Sequence, residues 1–135
     1  MKLLKRILGI CETAPPVDEG CWDYAGGEIR LQLDRTPELA PQGGAVRLEG
    51  KGLPLRVLVI HGRDGAYHAV ANRCTHMGRR IDPLPGTDRI ECCSVSRSRF
   101  TYAGEPVGGA ARKPLAVFTV CRAGDELTIG LPEDG

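Results

Sequence analysis

From Glu28 onward the chain is written in short runs of alternating apolar and polar residues. Ile29-Arg-Leu-Gln-Leu33 alternates strictly, and Val46-Arg-Leu48, Arg56-Val-Leu-Val-Ile60 and Ala66-Tyr-His-Ala-Val70 follow at strand length. Asp64-Gly65 between the last two is a tight-turn signal for a hairpin. The second half continues with Arg89-Ile-Glu-Cys-Cys93, Arg99-Phe-Thr-Tyr102, Leu115-Ala-Val-Phe-Thr-Val120 and Glu126-Leu-Thr-Ile129, punctuated by Gly104, Gly108, Gly109 and Gly124. Many short strands separated by turn residues predict an all-β protein, an antiparallel sandwich or small barrel. Thr36-Pro-Glu-Leu-Ala-Pro41 predicts a single helical turn, with Thr36 as cap and Pro37 at the first helical position. Internal repeats and heptads are absent from the sequence.

Residues 11 to 27 show neither period and predict an extended arm laid over the domain, with Trp22 as its apolar anchor. The organisation expected is therefore an arm over 1–27 and one domain over 28–135. A chain of 135 residues suits a single core, burying about two-thirds of its unfolded surface. At the N-terminus the apolar run is broken by Lys5 and Arg6 and ends at Glu12, too short for a secretion core or a membrane span. The expectation is a cytoplasmic protein. With 18 basic and 17 acidic residues and 4% aromatics, nothing favours nucleic acid: neither the net charge nor the supply of stacking rings fits it. Six cysteines in a reducing compartment argue for metal binding or burial over a disulfide framework, with a Cys11–Cys21 pair as the alternative.

The chemistry concentrates in two stretches. Cys74-Thr-His76-Met-Gly78 sets a thiolate and an imidazole two residues apart, and Cys92-Cys93-Ser-Val-Ser96-Arg-Ser-Arg-Phe100 follows. Thiolate and imidazole are the donors preferred by iron–sulfide clusters and by zinc. Adjacent strand residues point to opposite faces, so Cys92 reaches the same space as Cys93 only where the backbone bends. Cys121, inside an apolar run, reads as core, His68 as a structural side chain and His61 as solvated.

Across about residues 28 to 130 these features resemble the Rieske ferredoxin family, whose two loops follow the patterns Cys-x-His-x-Gly and Cys-x-x-His-Gly-x-x-Phe. Cys74, His76 and Gly78 match the first loop, and Tyr67-His-Ala-Val-Ala-Asn-Arg73 resembles the family's approach to it. With Phe100 on the second motif's Phe, Cys93 falls on its Cys, Ser96 on its His and Arg97 on its Gly. Gly104-Glu-Pro-Val-Gly-Gly-Ala-Ala-Arg-Lys-Pro-Leu115 is similar to the family's covering loop, with Gly109 where proline is common. The resemblance implies a Rieske-type antiparallel β-sandwich with a small cluster-binding subdomain and ligand loops at about 73–82 and 91–100. It also implies a [2Fe–2S] cluster held by Cys74, His76 and Cys93. A Rieske centre places two His on one iron; here Ser96 stands at the second His, leaving Ser96, Cys92, water or a partner protein as the fourth ligand.

The expected function is soluble single-electron transfer by an atypical Rieske-type protein, not an enzyme, since no nucleophile–base pair or phosphate-cradling loop is visible in the sequence. Two alternatives stand beside it: a cluster-free Rieske-fold structural subunit, and a mononuclear zinc or iron protein. Arg79, Arg80, Arg97, Arg99, Arg112 and Lys113 fall in the three loops around the expected cluster. That basic rim would steer an acidic redox partner.

Overall fold

The computed structural model describes residues 12–75, 78–84, 86–93 and 98–132. Among them are eleven strands and three short 3₁₀ turns, with no α-helix. β1 (Trp22–Ala25), β2 (Glu28–Gln32), β3 (Ala45–Leu48), β4 (Val57–His61) and β5 (Tyr67–Ala71) come first. β6 (Ile81–Pro83), β7 (Arg89–Cys92), β8 (Arg99–Thr101) and β9 (Pro106–Gly108) follow, then β10 (Val117–Ala123) and β11 (Glu126–Gly130). Seven strands form one antiparallel sheet in the order β1-β2-β11-β10-β5-β4-β3, and β6-β7-β8-β9 form a second. The expected antiparallel all-β architecture with a small subdomain is what folds: the subdomain is the four-stranded sheet. Its two edge strands carry Pro83 and Pro106, where a missing N–H costs no ladder bond.

Two cores meet at β4. Val57 and Val59 point into a core with Trp22, Ile29, Leu31, Val46, Leu48, Leu127 and Ile129. Leu58 and Ile60 point the other way, joining Val70 of β5 and Leu115 to Ile81, Ile90 and Phe100 of the subdomain. A strand buried on both faces needs an unbroken apolar run, and Val-Leu-Val-Ile supplies it. Gly104 fastens the chain's return to the large sheet. Its φ of +86 is left-handed, and a Cβ there would lie 2.5 Å from the Leu115 carbonyl oxygen, so only glycine fits.

Several expectations are corrected. The arm is not patternless to residue 27, because Trp22–Ala25 pair with β2 as the sheet's edge strand. Trp22 is nevertheless an anchor, 5% exposed, with the Lys51 ammonium 4.4 Å from its ring centroid. The Lys51 Nζ also donates to the carbonyls of Trp22 and Glu19. Upstream, segment 12–17 is strapped down by carboxylates: Asp82 accepts the N–H groups of Glu12 (2.6 Å) and Thr13 (3.0 Å), and Glu38 accepts that of Val17 (2.7 Å). Pro37–Leu39 do form a 3₁₀ turn, but Thr36 does not cap it; its hydroxyl donates back to the Gln32 carbonyl at 2.7 Å. The run beginning at Leu115 enters its strand only at Val117, because Leu115 is used to bind Gly104 and to fill the small core. Cys121 is exposed, not core, since its side of β10 belongs to the uncovered outer face of the large sheet. Cys21 is a buried reduced thiol, which removes the Cys11–Cys21 pair.

Replacing a buried Trp by Ala typically costs about 3–5 kcal/mol. Trp22→Ala should therefore lower the free energy of unfolding by that order in a urea titration, whereas Cys121→Ser should change it by less than about 0.5 kcal/mol. A loss under about 1 kcal/mol for Trp22→Ala would show that β1 is not integral to the sheet.

Candidate metal centre

The two ligand loops meet at the paired strands β6 and β7. The first runs from the end of β5 to β6, the second from β7 to β8. They are tied together through one dipeptide: the Cys74 N–H donates to the Arg79 carbonyl at 2.7 Å and the Cys93 N–H to the Arg80 carbonyl at 2.9 Å. The Gly78 N–H closes the first loop on the Cys74 carbonyl at 2.8 Å, with Gly78 in the left-handed region at φ +73. Cys74 and Cys93 are both nearly buried, at 1% and 5% exposure. The covering loop is pinned to each: the Thr75 hydroxyl donates to the Lys113 carbonyl at 2.7 Å, and the Ala111 N–H donates to the buried Ser98 hydroxyl at 3.0 Å.

The sequence-based ligands divide as follows. Cys74 and Cys93 are brought together at one end of the small sheet, on loops bonded to neighbouring carbonyls. Cys92 pairs with Ile81 across β6 and β7 and packs with Ile81, Ile90, Phe100 and Leu58 in the small core. His76, Ser96 and Arg97 lie outside the described residues. Cys74 and Cys92 are not in disulfides, but Cys93 is, against the expectation of thiols engaged only in metal binding or burial. Among the described residues no three His, Cys, Asp or Glu side chains group as a metal site. His68 is committed elsewhere: its Nε2 lies 2.9 Å from an Asp64 carboxylate oxygen and its ring stacks on Tyr102. His61, expected to be solvated, is half-buried, stacked on Tyr67, with its Nδ1 2.9 Å from the Leu39 carbonyl oxygen, which fixes Nδ1 as the donor.

Two members of the expected basic rim are ion-paired. Arg80 grips Glu49 through Nε (2.7 Å) and Nη2 (3.0 Å), and Arg99 binds the nearly buried Glu91 at 2.9 Å. Arg79, Arg112 and Lys113 remain exposed, and Arg73, not part of the sequence reading, joins them. Glu91 sits directly opposite Asp82 on the neighbouring strand, a like-charge pairing that would be unfavourable alone. Arg99 on one carboxylate and the strap's two N–H groups on the other offset it.

Sequence reasoning also missed Arg56, Asn72 and Glu49. Asn72 is buried, and its Oδ1 accepts the Ile81 N–H at 2.8 Å. Arg56 donates to the carbonyls of Asn72 (3.1 Å) and Gly78 (2.9 Å). Arg56 looked like the polar start of a strand, and only the Asn-Arg-Cys approach carried any signal for Asn72.

Comparison with known proteins shows the family to which this fold belongs. The family model for the Rieske [2Fe-2S] domain matches residues 31–119, and the chain belongs to that family. It is 34% identical over 106 residues to the carotenoid phi-ring synthase of Chlorobaculum tepidum, covering 78% of this chain and 16% of that protein. The chain thus spans about a sixth of this curated relative. The structure matches the ferredoxin of carbazole 1,9a-dioxygenase from Nocardioides aromaticivorans IC177 with a TM-score of 0.60 and 22% identity, over 75% of this chain and 93% of that one. It also matches a chain of a complex of reduced oxygenase and oxidized ferredoxin in carbazole 1,9a-dioxygenase, with a TM-score of 0.58 and 24% identity, over 75% of this chain and 92% of that one. The family implies a [2Fe–2S] cluster as cofactor. The donor chemistry at Cys74 and Cys93 fits it once the Cys93 thiolate is available.

The Arg80 guanidinium beside Glu49 holds its carboxyl below the ordinary carboxylate range, against the opposing push of burial. A depressed folded-state pKa gives stability that is present above the unfolded value of 4.5 and is lost as pH falls through the folded one. Such a partly exposed pair contributes about 0.5–1 kcal/mol. Glu49→Gln should lower stability at pH 7 by about that amount and leave the difference from the parent shrinking below pH 4.5, read by urea unfolding at several pH values. A difference constant from pH 7 to pH 3 would contradict the pair.

Proposed function

We propose that this chain carries single electrons between partner proteins, with Cys74, His76 and Cys93 as protein ligands of a [2Fe–2S] cluster and Ser96 at the position of the missing second imidazole. The observation that supports the reading is the pair of bonds from the Cys74 and Cys93 amides to the adjacent Arg79 and Arg80 carbonyls, which ties the backbones of two cysteines from different loops to one dipeptide. When bound, the cluster supplies a one-electron couple. A reduced donor protein loses one electron and an oxidised acceptor gains it. No bond to a substrate is made or broken, so the chain is a carrier and not itself an enzyme. Cys92, packed in the small core, stands outside the ligand set. The chain's own residues position the sulfurs, exclude water through the covering loop and present the exposed Arg73, Arg79, Arg112 and Lys113. Those exposed cations suit an acidic partner. The reduced thiols of Cys21, Cys74, Cys92 and Cys121 suit the reducing cytoplasm, where the Cys93 disulfide would be opened, and no helix among the described residues is long and apolar enough to cross a membrane.

One observation favours the cluster-free structural subunit. Cys93 in a disulfide cannot ligate iron, so cluster assembly requires its reduction first. Reconstitution with iron and sulfide under thiol therefore separates the readings. Cys74→Ala, His76→Ala and Cys93→Ala should each abolish the charge-transfer absorption, whereas Cys92→Ala should keep it and lose only packing, about 1–2 kcal/mol. Retention of the cluster in Cys93→Ala would contradict the ligand set.

The fourth ligand is addressed by potential. Rieske centres span about −150 to +300 mV and plant-type all-thiolate clusters lie near about −400 mV. With one imidazole and an anionic Ser96, the parent should fall between them. Ser96→His should raise the potential toward the Rieske range in protein-film voltammetry, and an unchanged value would remove Ser96 from the coordination sphere.

A further inference from the structure

We propose that Arg56 is the positioning residue of the first ligand loop: its guanidinium clamps the chain on both sides of the Cys74-to-Gly78 turn and sets a positive charge behind it. The redox half of this inference rests on the iron–sulfur reading above; the clamp half does not. Arg56 immediately precedes β4, the strand that contributes side chains to both cores. Its Nε donates to the Asn72 carbonyl, two residues before Cys74, at 3.1 Å. Its Nη2 donates to the Gly78 carbonyl, where the turn ends, at 2.9 Å. The Asn72 N–H returns to the Arg56 carbonyl at 2.9 Å, and the Asn72 Oδ1 accepts the Ile81 N–H at 2.8 Å. Entry and exit of the ligand loop therefore converge on one Arg–Asn pair. A planar fork of donors can hold two carbonyls at a fixed separation, which a single ammonium cannot reproduce.

Charge gives a second, independent observation. Arg47 and Arg80 both face Glu49, at 4.0 and 2.7 Å, and among the described residues that act on Arg56, Arg47, Arg73 and Arg80 repel it while Glu49 attracts it. Four cations with one carboxylate among the described residues, Arg56 being partly desolvated, make a setting that favours a further anionic group. A thiolate-ligated cluster is such a group, and it becomes more negative on reduction. Arg56 would thus favour the reduced state.

The test uses the full chain with Arg56→Gln, which removes charge and fork, and Arg56→Lys, which keeps the charge and loses the fork. Hydrogen exchange is read in the metal-free protein at the Gly78 and Cys74 amides, with the β4 amides as the control for an intact fold. Both variants should exchange at Gly78 roughly tenfold faster than the parent while β4 is unchanged. In the reconstituted protein, the potential should fall in Arg56→Gln and stay near the parent in Arg56→Lys. Unchanged Gly78 exchange in both variants overturns the clamp; equal potentials in Arg56→Gln and the parent overturn the charge role. A parent that assembles no cluster overturns the electron-transfer reading instead, and the exchange data still decide the clamp.

Discussion

The structure turns on two backbone hydrogen bonds. The amides of Cys74 and Cys93 are 19 residues apart in sequence, yet they bond to carbonyls of one dipeptide, Arg79-Arg80, at 2.7 and 2.9 Å. A backbone N–H buried beside a cysteine must find a partner, so neither loop can drift without leaving a donor unsatisfied. The dipeptide is itself held. The Arg80 side chain is locked to Glu49, and the next residue, Ile81, opens β6 and gives its N–H to Asn72. Loop positions are thereby inherited from strands, and two thiolate-bearing residues share one place because two strands share one edge.

That edge is rigid because of β4. Val57 and Val59 fill the large core while Leu58 and Ile60 fill the small one, so the strand is the common wall of both. Displacing the small sheet would open Leu58 and Ile60 to water, at about 25 cal/mol for each Å² exposed. Arg56, at the head of this wall, transmits its position to the first ligand loop. The covering loop closes from the opposite side through Thr75, Ser98 and the Gly104–Leu115 contact.

How far the sequence could be read depended on whether a residue's role was local. β2, β4, β5 and β11 were legible because alternation or an unbroken apolar run is itself the cause of their burial. β6 and β9 are three-residue proline-bearing edges and β1 lies among turn residues, so no periodicity could mark them. Cys121 was misplaced for a related reason. The alternation of β10 is real, but the face that carries Cys121 is exposed among the described residues. At the site, motif spacing singled out Cys74 and Cys93, but the expected loops at about 73–82 and 91–100 run into β6, β7 and β8. Spacing did not single out Arg56, Asn72 and Glu49, because their bonds span 9 to 31 residues and only the folded chain brings them together. The same long-range pairing explains why a basic rim counted from sequence is weaker in the fold: Glu49 and Glu91 occupy two of its arginines.

The central claim is that the two tied loops hold a binuclear cluster. Iron and acid-labile sulfide analysis of protein purified anaerobically in the presence of thiol, joined to its visible spectrum, tests it most directly. The account predicts a brown protein with about two irons and two sulfides per chain. A colourless protein without sulfide, prepared with Cys93 reduced, would contradict it and leave the fold as a cluster-free scaffold.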